Sequence, residues 1–192
     1  MSDAMGAVFS PTRRKLSADQ FERLGETGIL GEDARVELVE GEMIEMAPIG
    51  SLHASVVNTL SMLLARAVGD AAIVSTQNPL RLSEDNEPQP DLMLLHPKAD
   101  RYRSQLPRPH EVILLVEVAD TTLAYDRETK LPLYAKHGVR EVWIIDLEGK
   151  RLEAYREPGA DGYRAKLERA STDSIAPVAL PSLTLRLASV LE

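Results

Sequence analysis

Two acidic residues stand at the ends of neighbouring apolar segments. Asp91 opens the segment DLMLL, and Glu117 lies near the end of VILLVEV. If both segments are strands that pair antiparallel, the start of the first lies opposite the end of the second. The two carboxylates then repel each other unless a proton or a cation lies between them. This predicts a site for Mg²⁺ or Mn²⁺, because Mg²⁺ binds through one or two carboxylates plus water and substrate phosphates.

Each of these acids also has a purely structural interpretation. A carboxylate in a covered strand is costly when it has no partner, so Glu117 either serves a site or reaches solvent or an arginine from a strand end. Asp91 follows Pro90, and a Pro-Asp pair at a strand entry is often a turn in which the Asp side chain accepts backbone hydrogen bonds. The residue types alone leave both interpretations open.

Lys130 is the third residue of the predicted site. It follows Asp126 by one helical turn, so the two side chains share a helix face. If the helix after the Glu117 strand returns across the end of the sheet, the ammonium reaches the carboxylates and stabilises charge that develops on a phosphate. The alternative is an exposed ion pair between Asp126 and Lys130, worth a few tenths of a kcal/mol.

The elements of the first half must bring these residues together. Ser17 marks the start of a first helix, and Val36–Met46, interrupted by Glu40-Gly41, predicts a β-hairpin. Ser51 is predicted to cap a second helix, whose apolar stripe is Val57, Leu60, Leu64 and Val68. Short strands are predicted at 72–76 and 79–82, ahead of the strand at 91–95.

The second half predicts a β-α-β unit and an antiparallel pair. The run at 112–118 suits a central strand covered on both faces. A helix capped by Thr121 or Thr122, ending at Gly138, leads to a strand at 139–146, and Pro132 predicts a kink or a late start in that helix. Strands at 151–155 and 163–167 form a C-terminal antiparallel extension, and alternating leucines at 183, 185 and 187 predict a short strand. The predicted class is α/β, a mixed central sheet flanked by helices.

Bulk composition narrows the class of protein. The length of 192 residues predicts one domain, 1–192, with residues 1–15 as a loose arm. The chain has no cysteine, which excludes thiolate zinc sites and fits a reducing cytoplasm. No segment has the length and apolarity of a membrane span. The net charge of −8 argues against a protein that coats nucleic acid, and the basic residues Lys98, Arg101, Arg103 and Arg108 are better explained as a solvated loop than as a phosphate-binding patch.

Several stretches resemble one nuclease family. Pro90-Asp91 and Glu117-Val118-Ala119 resemble the PD-(D/E)XK nuclease signature, although Ala119 stands where that signature has lysine. More specifically, the chain from about 35 to 146 resembles the bacterial Uma-type restriction endonuclease family, in which the lysine stands on the helix at the position of Lys130. The matching stretches, in order, are VELVEGEMIEMAP, QPDLMLL, LLVEVAD, the Asp126-x-x-x-Lys130 pair and YAKHGVREVWIID.

The resemblance implies a restriction-endonuclease-like fold and an Mg²⁺- or Mn²⁺-dependent endonuclease that cuts DNA. Asp91 and Glu117 would be metal ligands, and Lys130 would assist catalysis. Two further residues enter by the resemblance alone. Glu37 matches an extra acid of the site, although its simpler interpretation is the solvent face of a hairpin. His53 would contact a phosphate or a water of the metal, although a lone histidine near a helix start is more often a local hydrogen-bonding residue.

Two expectations concern the whole molecule. Enzymes of this class that cut duplex DNA commonly act in pairs, so we expect a homodimer, with apolar residues of the tail at 183–190 or of the first helix at its interface. The alternative function is a non-catalytic binding or assembly module that keeps the nuclease fold, which the acidic charge favours.

Overall fold

The computed structural model describes residues 14–31 and 34–192. Most of the predicted loose arm, residues 1–13, lies outside the described residues, and Arg14 and Lys15 are exposed coil. The first helix is α1, Ala18–Glu26. Ser17 Oγ accepts from the Gln20 amide at 3.2 Å, and Gln20 Oε1 accepts from the Ser17 amide at 3.0 Å. This capping box confirms the predicted helix start.

The longest helix is α2, Ser51–Val68. The predicted apolar stripe is confirmed, since Val57, Leu60, Leu64 and Val68 are all buried. The predicted cap is wrong: Gly50 occupies the N-cap position, and no side chain caps the helix. No helix in the described part of the chain is long and apolar enough to cross a membrane.

The centre of the molecule is a six-stranded mixed sheet with the order β3-β4-β5-β6-β7-β8. Neighbouring strands pair antiparallel except β5 and β6, which are parallel. This confirms the predicted mixed α/β class and its C-terminal antiparallel extension. The strands are β3 Ile73–Thr76, β4 Leu92–Leu95, β5 Val112–Ala119, β6 Glu141–Asp146, β7 Arg151–Gly159 and β8 Gly162–Ala170.

The crossover between β5 and β6 contains a helix with an irregular middle. A short α3, Leu123–Tyr125, continues into a π-helical turn, Asp126–Lys130, and then into α4, Leu131–Lys136. The Leu131 amide donates to the Asp126 carbonyl, the i to i+5 bond of a π-helix. The helix begins at Leu123, so Pro132 does not delay its start. The irregularity lies in the π-helical turn immediately before the proline, and both prolines and π-helical turns are common causes of helix kinks.

Each face of the sheet is covered by one of these helical segments. Leu114 and Val116 belong to an apolar cluster that includes the buried residues of α2. Leu115 and Ala119 belong to a second cluster, which includes buried residues of α4. Successive side chains of a strand point to opposite faces, so Glu117 faces the side of the crossover helix. The predicted double covering of β5 is confirmed.

Two segments before β4 pack beside the sheet. The predicted hairpin is confirmed as β1, Val36–Val39, paired with β2, Glu42–Glu45. The predicted strand at 79–82 is wrong. Its amides bond to a nearby turn, with Leu80 donating to the Pro88 carbonyl and Leu82 to the Asn86 carbonyl. Pro79 and Pro88 have no N–H to donate to a strand ladder, so this segment cannot pair regularly.

The C-terminal tail is part of the core. A two-residue strand, β9 Ser174–Ile175, pairs with β10 Leu185–Arg186, and α5 Ala188–Leu191 follows. Four apolar residues of the tail are buried in the cluster that contains α2, namely Leu183, Leu185, Leu187 and Val190. The suggestion that this tail supplies an exposed dimer interface is therefore wrong.

Candidate active site

Strand pairing brings the two predicted acids together. β4 and β5 are antiparallel with Leu92 opposite Val116, so Asp91 and Glu117 lie at the same end of the pair. The Asp91 amide is 3.4 Å from Glu117 Oε2. The predicted geometry is present, with Asp91 standing one residue ahead of β4.

The two oxygens of Asp91 have different surroundings. Oδ2 accepts from His53 Nε2 at 3.0 Å and from the Val118 amide at 2.9 Å. Oδ1 has one long contact, 3.4 Å to Gln77 Nε2. Burial opposes ionisation, but the hydrogen bond and charge of His53 outweigh it and hold the pKa of Asp91 below its ordinary value. The same hydrogen bond raises the pKa of His53.

The two carboxylate oxygens of Glu117 also have different surroundings. Its Oε1 accepts from Lys130 Nζ at 2.7 Å and from the Tyr134 hydroxyl at 2.6 Å. Its Oε2 has the long contact to the Asp91 amide. The residue is 3% exposed, and burial raises the pKa of its carboxyl to about 8, against the lowering effect of Lys130.

Lys130 lies at the centre of the acids and is 2% exposed. Besides its bond to Glu117, its Nζ lies 3.6 Å from Glu37 Oε2. Burial disfavours the ammonium, but the charges of Glu117, Glu37 and Asp126 outweigh it and raise the pKa of Lys130. The alternative of an exposed pair with Asp126 is wrong, because the π-helical turn directs Lys130 into the interior.

Glu37 is fully buried, at 0% exposed. Oε1 accepts from the Tyr125 hydroxyl at 2.8 Å, and Oε2 accepts from the Gln89 amide at 3.1 Å. The interpretation of Glu37 as the solvent face of a hairpin is therefore wrong. Both of its oxygens already have donors, so its clearest role is to hold Lys130 in place.

Asp126 is a fourth buried acid, 3% exposed. Its Oδ2 accepts from the Thr122 hydroxyl at 2.7 Å. Thr122 is at the N-cap position of α3 but makes no capping bond, so its hydroxyl serves this carboxyl instead. Burial raises the pKa of Asp126, and the charges of Asp91 and Glu37 add to that effect.

A cleft with a volume of about 590 Å³ opens over these side chains. Its floor includes Asp91, Glu117, Asp126 and Lys130, with His53 at the side. The remaining wall comes from separate segments, which are Ala34–Arg35, Met46–Gly50, Gln77, Gln89 and Asp120–Thr122.

The basic loop between β4 and β5 lies away from the cleft. Lys98, Arg101, Arg103 and Arg108 lie between β4 and β5, at the end of these strands opposite to Asp91. The three arginines are exposed, and Lys98 pairs with Glu111 at 3.0 Å. The loop therefore does not contribute to the cleft, in agreement with the solvated interpretation.

The carboxylate oxygens of the cleft suit a hard divalent cation that also has water molecules among its ligands. Asp91 Oδ1 and Glu117 Oε2 each have only one contact, at 3.4 Å, and both belong to residues that line the cleft. Within residues 14–31 and 34–192, no group of three or more His, Asp or Glu side chains is arranged to enclose an ion. Two carboxylate oxygens with open coordination suit Mg²⁺ or Mn²⁺ better than a closed structural zinc site.

Sequence reasoning missed several members of this cluster. Asp126, Lys130 and Tyr134 are spaced four residues apart. This i, i+4, i+8 pattern would have identified Tyr134 as a neighbour of Lys130 on the same helix face. Tyr125 and Gln77 carried no such signal. Their positions depend on contacts with Glu37 and Asp91, which are remote in the sequence.

Comparison with known proteins identifies a matching family and a matching fold. A model of the family Uma2, described as "Putative restriction endonuclease", matches residues 18–188. A solved structure from Anabaena variabilis ATCC 29413, described as "a putative nuclease belonging to DUF820", is similar with a TM-score of 0.67 and 16% sequence identity. The similarity covers 92% of this chain and 97% of that chain, so the two share a fold. None of the curated proteins matches the chain.

Proposed function

Because this chain belongs to the Uma2 family, we propose that it is a metal-dependent endonuclease that hydrolyses phosphodiester bonds in DNA. Asp91 and Glu117 would hold Mg²⁺ or Mn²⁺ through Oδ1 and Oε2, the oxygen of each carboxylate that has only a long contact of 3.4 Å among the described residues. A divalent cation bound there would lower the pKa of water and neutralise charge on the scissile phosphate.

One observation carries this proposal. Of the acids that line the cleft, Glu117 and Asp126 are buried, Asp91 is half-buried and Asp120 is exposed, whereas of its cations Lys130 is buried and Arg35 is half-buried. Buried carboxylates in excess of cations are costly unless they bind a proton or a metal. Burial raises the pKa values of Glu117 and Asp126, and the charges of neighbouring carboxylates add to that effect.

The protein's own side chains have distinct tasks in this mechanism. Lys130, held by Glu117 and Glu37, supplies a fixed positive charge next to the phosphate, where it stabilises charge that develops in the transition state. His53 orients Asp91 through its Nε2, and its Nδ1 is buried without a hydrogen-bond partner in the described structure.

The test combines metal binding with cleavage. Calorimetry should detect Mn²⁺ or Mg²⁺ binding in the millimolar range or tighter, and plasmid DNA should be cut only when the metal is present. Asp91→Ala should lose both properties. Asp70→Ala is a matched control, because Asp70 is exposed and lies outside the cleft. If the wild-type protein bound no metal and cut no DNA, a non-catalytic binding or assembly module would be the better explanation.

A further inference from the structure

Gln77 has an unusual backbone conformation at the edge of the cleft. It follows β3 directly and has a φ of +50°. This left-handed region is costly for residues other than glycine, and asparagine is the side chain that enters it most readily. A long glutamine is therefore not explained by the turn itself. Strained residues of this kind cluster at functional sites.

The main chain of Gln77 is held in this conformation from both sides. Its amide donates to the Asp91 carbonyl at 3.0 Å. Its carbonyl accepts from Gln89 Nε2 at 2.6 Å. Gln89 in turn donates its backbone amide to Glu37. The strained residue is thus connected through short bonds to two acids of the site.

The side chain of Gln77 lines the cleft and lies closest to one particular oxygen. Its Nε2 is 3.4 Å from Asp91 Oδ1, an oxygen that has no other hydrogen-bond partner within the described ranges 14–31 and 34–192. This bond is long and weak, in contrast to the bonds of 3.0 Å and 2.9 Å that hold Oδ2. A cation at Oδ1 would replace the contact, and the carboxamide would then have two N–H donors directed at the cleft.

We propose that Gln77 is a substrate-contacting residue, whose carboxamide donates hydrogen bonds to the phosphate that is cleaved. The inference rests on the proposed nuclease function. A phosphate oxygen is an anionic acceptor, and charge-assisted hydrogen bonds to anions are stronger than neutral ones. Because Gln77 is neutral and its bond to Asp91 is long, it competes with the metal for that carboxylate less than a second lysine would.

The first test is Gln77→Gly, which removes the donor and also relieves the backbone strain. Lys150→Gly is the matched control: Lys150 has a φ of +48°, is exposed and lies between β6 and β7, away from the cleft. Both variants should have closely similar shifts in urea midpoint. Lys150→Gly should cleave DNA like the parent, whereas Gln77→Gly should cleave about 10- to 100-fold more slowly at saturating Mn²⁺. The Mn²⁺ affinity of Gln77→Gly, measured by calorimetry, should be equal to that of the parent or slightly higher.

A second variant separates hydrogen bonding from space filling. Gln77→Glu keeps the length of the side chain, removes the donor and adds negative charge. It should bind Mn²⁺ more tightly than the parent and cleave at least as slowly as Gln77→Gly. Parental cleavage by either Gln77 variant would overturn the inference and leave the nuclease proposal intact. A tenfold loss of Mn²⁺ affinity in Gln77→Gly would also overturn it, because Gln77 would then support the metal. A parent protein that neither binds Mn²⁺ nor cleaves DNA would overturn both proposals.

Discussion

Lys130 is held by carboxylates that the chain separates widely. It contacts Glu117 and Glu37, both buried, and is itself almost fully inaccessible. Removing one partner of a buried ion pair leaves an uncompensated charge, which is far more costly than losing a surface pair. The residue that the family resemblance assigns to catalysis therefore also stabilises the fold.

Lys130→Met should separate these two roles. We expect a loss of about 3 kcal/mol in the free energy of unfolding, measured with urea, because Glu37 and Glu117 lose their shared cation. Mn²⁺ affinity should stay level or rise, because the lysine competes with the metal for Glu117. DNA cleavage by the fraction that remains folded should fall by about two to three orders of magnitude.

The control for this prediction is Lys136→Met, since Lys136 is an exposed residue of α4. It should match the parent in stability, metal binding and cleavage. A Lys130→Met protein that cuts DNA as fast as the parent would exclude Lys130 from the mechanism. It would also favour the non-catalytic alternative.

Glu117 should make metal binding dependent on pH. A carboxyl must lose its proton to bind a cation, and the pKa of Glu117 in the folded protein is about 8. Apparent Mn²⁺ affinity should therefore rise about tenfold per pH unit between about pH 6 and pH 8, and level off above that. Calorimetry in buffers of different ionisation enthalpy should also detect proton release on binding below pH 8. Affinity that does not change over this range would contradict the assignment of Glu117 as a ligand.

Because burial raises the pKa of Glu117, the shift acts on stability in the direction opposite to that of an acid whose pKa is lowered in the folded protein. The ordinary pKa of Glu117 is 4.5, and the folded-state value is higher. The folded protein thus keeps a proton that the unfolded chain loses. The contribution of this group to stability is complete below about pH 4.5 and is lost as the pH rises through about 8. In the absence of metal, Glu117→Gln should flatten that part of the pH profile of the unfolding free energy.

The π-helical turn at 126–130 is the element that delivers Lys130. On its outer side, Arg127 donates to both carboxylate oxygens of Glu153 on β7, at 3.0 Å and 2.7 Å. Such paired bonds fix orientation as well as distance. Arg127 therefore ties the turn to the sheet, while Asp126 and Lys130 face the interior.

Arg127→Met should loosen this turn with little cost in overall stability, because Glu153 keeps Lys166 and the Tyr155 hydroxyl as partners. We expect faster hydrogen exchange of the Leu131 amide, which forms the π-helical bond, and cleavage about tenfold slower. Mn²⁺ affinity should change little, because the proposed ligand oxygens belong to Asp91 and Glu117.

Arg151→Met is the matched control for the turn. Arg151 lies near the same carboxylates, 2.9 Å from Asp146 and 3.9 Å from Glu153, but belongs to β7. The Arg151→Met variant should leave hydrogen exchange of the Leu131 amide and DNA cleavage unchanged. If both variants slowed cleavage equally, the effect would come from the charge of this cluster and not from the position of the turn.

At the scale of the whole molecule, the burial of the C-terminal tail changes where a dimer interface can lie. The large apolar side chains that are exposed in the described part of the chain are Ile29, Met43, Ile49, Leu52, Met62 and Val178. Leu52 and Met62 both belong to α2, whose opposite side packs in the core. We propose that this face of α2 contributes to a homodimer.

Light scattering after size exclusion should give twice the mass of the 192-residue chain at micromolar concentration. The double variant Leu52→Asp, Met62→Asp should shift the protein towards monomer, because charged groups are costly to bury in an apolar interface. Val178→Asp is the control for added surface charge and should remain dimeric. A parent protein that is strictly monomeric would contradict the proposed dimer.

The sequence by itself determined the main helices and strands around the site, apart from the segment at 79–82, and the meeting of Asp91 with Glu117. Apolar periodicity identifies strands and helices locally, and an antiparallel pair joined by one loop brings its outer ends together. The same reasoning identified the two covered faces of β5, since its apolar run leaves no face for water. These inferences need only neighbouring parts of the chain.

The tertiary structure alone decided how each side chain of the site is used. Glu37 is buried because the Tyr125 hydroxyl, 88 positions away, donates to it. The π-helical turn, which no periodicity predicted, directs Lys130 inwards. The strained Gln77 lies beside Asp91 because its amide donates to the Asp91 carbonyl and its carbonyl accepts from Gln89. Burial, hydrogen-bond partners and pKa depend on contacts between residues remote in sequence, so a pattern of residue types can indicate the chemistry but cannot specify which oxygen stays free for a ligand.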